Sequence, residues 1–350
     1  MNEKNVSIEI LRFLLTISIC LHHFRMYSNE MPYGGGYIAV DFFFIISGFF
    51  LARRLKDINN QQGMEIGRYI KKRFIRLFPN YFLAFVIALL VRLIVESDKL
   101  HYRYIGGYLR EAFMIEIMCL DSKDRINPPD WYCGYLLLGT IIVCVLSVSL
   151  LKKSSFYWYG ILAVGIYFIF AIWNTGCNIY PQTATVISVA IFRAVAGLML
   201  GCFIYYLIKK HGINNCEKKK RPIIFILIIG LMFLIFYVLL WDNSIPYIDY
   251  IAIGLFCILF LLLSIYRLSI RKQHMQKILL WFGKISYILY LNHYIVSYIF
   301  NKYRLLGGYD WKAVSVIYLL VVFSFSVIVY VIEQLFEKGT MMIFSKRKCC

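Results

Sequence analysis

Apolar runs of about 18 residues or more recur from one end of this chain to the other, and no other feature limits its fold so strongly. In hydrocarbon every backbone N–H and C=O must be satisfied within the spanning segment or by a closed barrel, and these runs lack a barrel's period of two. The sequence therefore predicts an all-α integral membrane protein of about ten transmembrane helices, near 8–24, 37–53, 79–96, 131–150, 156–173, 183–208, 222–241, 247–267, 281–300 and 313–335. Apolar residues make up 61% of the chain, which leaves no stretch for a separate soluble domain. Residues 1–350 read as one membrane domain whose longest gap, 97–130, is a folded loop or a re-entrant piece.

The formal net charge of +19 invites a nucleic-acid reading, but the position of the charges argues against it. Of 38 Lys and Arg, 25 fall at the two termini and in every second loop, nine in the alternate loops, and four (Arg12, Arg92, Arg193 and Lys284) within the runs. That asymmetry is the positive-inside pattern. It places both termini in the cytoplasm and agrees with an even number of spans. The basic excess thus reports topology in a lipid bilayer, and no nucleic-acid partner is expected.

Seven of the ten cysteines (Cys20, Cys144, Cys202 and Cys257 in spans, Cys216, Cys349 and Cys350 on the cytoplasmic side) are not placed as a disulfide scaffold. Cys119 and Cys133 flank or sit in the outer loop and could pair. The first run lacks a small-residue cleavage site, so it is expected to stay as a membrane anchor. No Cys or His spacing matches a metal site, and neither a glycine-rich phosphate loop nor a nucleophile elbow is present.

Arg12 and His23 lie eleven residues apart on the first run. Eleven residues are close to three helical turns, so both side chains leave one face, roughly 16 Å apart along the axis, while His22 points about 80° away. Ionisable groups inside a bilayer usually face a polar cavity or a partner. Two of them at two depths suggest a path across the membrane with His23 at its outer end. Asp41, near the start of the second run, is expected at a similar depth. It reads either as the carboxylate that orients the His23 imidazole or as a helix N-terminal carboxylate stabilised by the dipole. Gly48, seven residues later, would share its face and admit a close neighbour.

Arg73 and Arg76 share a helix face at the inner border. They read either as a phosphate-binding pair or as arginines that snorkel and report topology. Arg193, His293 and Glu333 complete the intramembrane ionisable set, and Glu333 is expected at the depth of Arg12, where the two would pair.

In order along the chain, these segments resemble acyltransferase family three, the integral-membrane acyltransferases that modify carbohydrates. The resemblance rests on Glu9-Ile10-Leu11-Arg12 through His22-His23, on Gly36 to Phe49 with its Val40-Asp41-Phe42-Phe43 core, and on Arg73 to Tyr81. Arg193 to Gly201, Gly283 to His293 and Ile332-Glu333 complete it. The chain departs from the family pattern at Asn292, where tryptophan is usual, after Glu333, where proline is usual, and around Trp131, which opens the fourth run.

The resemblance implies a bacterial inner-membrane O-acetyltransferase with acetyl-CoA as donor and a cell-surface or secreted polysaccharide, or its lipid-linked precursor, as acceptor. Arg73 and Arg76 would hold the CoA phosphates, with Arg12 along the route. His23 and Asp41 would act on the acceptor hydroxyl, directly or through an acyl-His23 relay, with Arg193, His293 and Glu333 in second rank. No hydrolase-like domain is expected after the spans, in which case transfer would finish in the membrane domain or pass directly to the acceptor. A glycan exporter and the transfer of another acyl group, such as succinyl, are the alternatives.

Overall fold

In a computed structural model, residues 5–28, 30–55, 62–96, 105–115, 125–149, 155–172, 189–212, 221–240, 247–266 and 272–346 are described. The chain begins with α1 (Val6–Phe24), capped by the Asn5 side chain, which accepts from Ser7 N and donates to the Leu263 carbonyl at 2.7 Å. A short 3-10 turn, Gly34–Ile38, leads into α2 (Ala39–Leu55). There follow α3 (Gln62–Val95), the short α4 (Ile105–Ala112), α5 (Trp131–Ser149), α6 (Tyr157–Ile172), α7 (Val189–Lys210) and α8 (Arg221–Leu240). The last three are α9 (Tyr247–Ile265), α10 (Gln273–Tyr303) and α11 (Trp311–Lys346).

Helices overlie every expected apolar run, and no strand occurs among the described residues. Eight of them, α1, α2, α3, α5, α7, α8, α9 and α11, are long and apolar enough to cross a membrane. Two fall short for different reasons. α6 has 16 residues. α10 is long but carries Ser286, Asn292, His293 and Ser297, all of them buried. A helix whose polar side chains face inward looks insufficiently apolar when composition alone is averaged. α3 also differs from expectation, because the sequence places a span start at Pro79, where proline suits a first helical turn. Instead the helix runs unbroken for 34 residues with Pro79 inside it, which puts Arg73 and Arg76 in mid-helix.

Two packing units organise the core. In the first, α2 and α7 meet backbone to backbone. A Cβ on Gly48 would fall 1.9 Å from the Leu198 carbonyl oxygen, and one on Gly201 would fall 2.0 Å from that of Ile45. Small residues allow this approach, and in lipid such contact replaces the missing hydrophobic drive between helices. In the second unit α1 lies along α10, where Gly283 accepts the Glu9 side chain against its backbone. α8 turns Ile223, Ile226, Leu227 and Phe233 outward, as a lipid-facing helix does.

Part of the 97–130 gap is a folded loop. The buried Glu111 carboxylate accepts from the backbone N–H of Ile126 at 2.8 Å and of Asn127 at 2.7 Å. Tyr81 donates to the Glu111 carbonyl, Asn127 Nδ2 to the Leu291 carbonyl and Tyr290 to the Pro129 carbonyl. These bonds seat residues 125–130 on α10 beside His293. Cys119, and with it any bridge to Cys133, lies outside the described residues.

Candidate active site

The close approach of α2 and α7 decides the partner of Asp41. Arg193 stands one turn before Gly197 on α7, and its Nε lies 3.1 Å from each Asp41 carboxylate oxygen, with Nη2 at 2.6 Å from Oδ2. Nη2 also donates to the Tyr37 carbonyl, and Tyr167 donates to Asp41 Oδ1 at 3.2 Å. The Arg193 guanidinium lies over the Trp131 ring at 5.7 Å. Asp41 is fully buried.

The expected Asp41–His23 contact is therefore corrected. A buried arginine needs a counter-charge, and the α2–α7 glycines bring it close enough to take both oxygens. Asp41 connects to the histidines only at second hand. Arg193 bonds the Tyr37 backbone, and the Tyr37 ring lies edge-on to His22 at 5.4 Å while its hydroxyl bonds Asp249 at 2.7 Å.

His23 faces α10. Its ring centroid is 5.1 Å from that of His293 and 5.8 Å from that of Tyr294. His293 is fully buried, and its Nδ1 lies 2.5 Å from the Tyr290 carbonyl. A carbonyl only accepts, so Nδ1 carries the proton and Nε2 presents a lone pair. Nε2 has no partner among the described residues. His22, in contrast, is tied down: Nδ1 lies 3.2 Å from the Tyr33 carbonyl, and its Cβ sits beneath Gly36. The two adjacent histidines thus occupy different surroundings, as the 80° offset implies.

Arg12 does not meet Glu333, and that expectation is corrected as well. Arg12 Nη1 pairs with Glu9 Oε2 at 3.0 Å, one turn away on α1, and Glu333 accepts from Asn80 Nδ2 at 2.6 Å. A neighbour three residues back on the same helix reaches the guanidinium before a carboxylate on α11 does.

At the end of the bundle nearer Arg12, α3 contributes two adjoining rows at spacing four, Glu65-Tyr69-Arg73 and Arg68-Lys72-Arg76. With Arg54 at the end of α2 they line a cleft of about 420 Å³. Five cations face one carboxylate there. Arg76 is exposed, but Arg73 is buried, with Nη1 on the Tyr69 hydroxyl at 3.0 Å and Nε without a partner. Arg12 and Arg73 both lie within electrostatic range of Arg76, so the cleft adjoins the foot of the α1 face that carries His23.

Sequence reasoning missed Tyr37, Tyr167 and Asp249 around the Asp41–Arg193 pair, and Arg54, Arg68 and Lys72 in the cleft. The spacing of four in Arg68-Lys72-Arg76 and the small-residue pair Gly197-x-x-x-Gly201 were the available signals. Nothing local marks Tyr167 or Asp249, which arrive from distant helices.

A family model described as an acyltransferase domain matches residues 5–333. The chain is 22% identical over 320 residues to proteins of Staphylococcus aureus strains COL and N315 that carry the provisional name O-acetyltransferase, covering 84% of this chain and 51% of each relative. It is 28% identical over 132 residues to protein 2 in the picA locus of Rhizobium radiobacter, covering 36% of this chain and 69% of that protein. The chain spans about half the length of the Staphylococcus relatives it matches. No solved structure matches it.

Proposed function

The chain belongs to the acyltransferase family whose model spans residues 5–333, and from that premise we propose that it moves an acetyl group from cytoplasmic acetyl-CoA to a hydroxyl of a cell-surface or secreted polysaccharide or its lipid-linked precursor. Its setting in this reading is a bacterial inner membrane, crossed about ten times with both termini inside, which the 25 to nine division of Lys and Arg supports.

The observation that carries the proposal is the basic cleft. CoA presents phosphates, and five cations around a volume of about 420 Å³, one with a buried donor left without a partner, suit such a group. Arg73 and Arg76 would hold the phosphates, with Arg54, Arg68 and Lys72 beside them. Bound there, acetyl-CoA supplies an activated thioester carbonyl. Arg12 lines the way along α1 toward His23. His23 would take the proton of the acceptor hydroxyl as its oxygen bonds the acyl carbon, and would return it to the CoA sulfur as the carbon–sulfur bond breaks. His293, whose ring lies beside that of His23 and whose Nε2 has no partner among the described residues, would accept from a His23 N–H, which would fix the His23 tautomer and leave its other nitrogen as the base. The Asp41–Arg193 pair holds the Gly34–Ile38 turn, and through Tyr37 supports the histidines.

Replacing Arg73 and Arg76 together by Lys keeps the charge and loses the bidentate fork, so the affinity of the purified protein for acetyl-CoA should fall roughly tenfold or more. Unchanged affinity would remove the donor-site assignment. Failure of the wild-type protein to bind acetyl-CoA at all would remove acetyl transfer from this donor and turn attention to glycan export.

A further inference from the structure

We propose that the cleft between the end of α1 and the α10–α11 turn is a binding subsite for an uncharged stretch of the acceptor glycan, distal to the histidines. This proposal rests on the acyltransfer reading above. The cleft measures about 530 Å³, and its lining includes Tyr27, Glu30, Arg304, Tyr309, Asp310 and Trp311. It begins four residues beyond His23 along the chain, at the same end of the bundle.

Three observations point to a sugar. The first is the turn itself. Arg304 and Leu306 both adopt left-handed backbone conformations, with φ of 47° and 63°. For residues with a Cβ this costs free energy, and it persists only where neighbours over-determine it. Here they do: Arg304 Nη1 donates to the Tyr27 carbonyl at 2.7 Å, its guanidinium lies over the Tyr27 ring, and the Tyr27 hydroxyl donates to the Leu305 carbonyl. The wall of the cleft is held in shape in advance, which lowers the ordering cost of binding.

The second is an aromatic platform. Tyr309 is 69% exposed, and next to it on the wall is the half-buried Trp311, whose ring is held edge-on by Tyr33 at 5.9 Å and covered by the Lys312 ammonium at 5.6 Å, so Tyr309 is the ring left open to a ligand. A flat ring exposed in a polar cleft suits the apolar C–H face of a pyranose, which the ring alone recognises.

The third is charge. The Glu30 and Asp310 side chains are exposed and, among the described residues, make no side-chain hydrogen bond or ion pair, whereas Arg304 is already engaged with Tyr27 and the nearest other cation along the chain, Lys312, lies over the Trp311 ring. Carboxylates only accept, so they match the donating hydroxyls of a neutral sugar and repel uronic or sialic acids.

The test uses the full chain in lipid nanodiscs, with glycan from the same cells freed of O-acetyl groups by mild base as the probe and oligogalacturonate as the anionic control. Tyr309→Ala and Asp310→Asn should each weaken glycan binding roughly tenfold, the double variant more, while Tyr309→Phe keeps it. Affinity for acetyl-CoA should stay unchanged in all of them, which shows that the protein is folded. Wild-type protein that fails to bind the de-acetylated glycan, a double variant that binds it as tightly as wild type, or oligogalacturonate that binds more tightly would each overturn the subsite. If glycan binds as expected but deleting the gene leaves glycan-bound acetate unchanged in cells, the acyltransfer reading fails while the subsite stands.

Discussion

An arginine inside a bilayer dictates its own surroundings, and Arg193 shows how. Its fork takes both oxygens of Asp41, the Tyr37 carbonyl and the face of Trp131, so little of either charge is left unpaired. With Asp41 committed, the support for His23 passes to His293, whose Nε2 is buried and unbonded. Replacing His23 by Ala should cut the transfer rate roughly a hundredfold or more while leaving the protein in the membrane. His22→Ala should be milder, since His22 holds the Tyr33 carbonyl and sits beneath Gly36. His293→Asn should lower kcat with acetyl-CoA affinity unchanged and alter the pH profile of the rate, because it changes how His23 is held. Initial rates over a range of donor concentration and pH separate these cases. A larger loss from His22→Ala than from His23→Ala would end the assignment of His23 as the base. The eleven-residue spacing singled out His23 from His22 in the sequence as a proposal, but the choice between Asp41 and His293 as its neighbour was not legible there, because it depends on which helix packs against α1.

Among the elements, the loop on Glu111 shows how a segment outside the spans is held. Burial raises the Glu111 carboxyl above its ordinary value of 4.5, against the opposing pull of the Asn127 and Ile126 N–H groups and of Arg125 and Arg92. The native state therefore holds a proton that the opened loop has lost, so the node's stability falls as pH rises above that ordinary value. Thermal melts of wild-type protein should decline through that window, whereas Glu111→Gln should be less stable at low pH and flatter with pH. Equal slopes for the two would show that Glu111 does not govern the loop. α3 teaches a related lesson about its boundary. Proline marks a helix start only by preference, and the amphipathic basic turns before Pro79 continue the helix because their charged face lines a cleft. In α10 inward polar residues lower its average hydropathy, which hides a helix that nonetheless packs along α1.

At the scale of the molecule, two clefts at opposite ends of the α1–α10 unit frame the histidines. One is cationic and one carries free carboxylates beside aromatic rings. In the proposed topology a cysteine at exposed Tyr309 should react with an impermeant thiol reagent in intact cells, and one at exposed Lys71 should not. Labelling at Lys71 would invert or break that topology. Sequence alone determined the helical class, the places of the apolar helices, the family resemblance later matched over residues 5–333, and the adjacency of Arg73 and Arg76. Each of these follows from periodicity, hydropathy or local motif, which a single segment expresses by itself. Tertiary structure alone decided that Asp41 belongs to Arg193, that Arg12 belongs to Glu9 rather than to Glu333, and that His293 faces His23. Pairings of that kind turn on which helices meet and at what rotation. Glycines such as Gly48, Gly197 and Gly201 set that geometry by letting two backbones touch, and their effect appears only once both partners are in place.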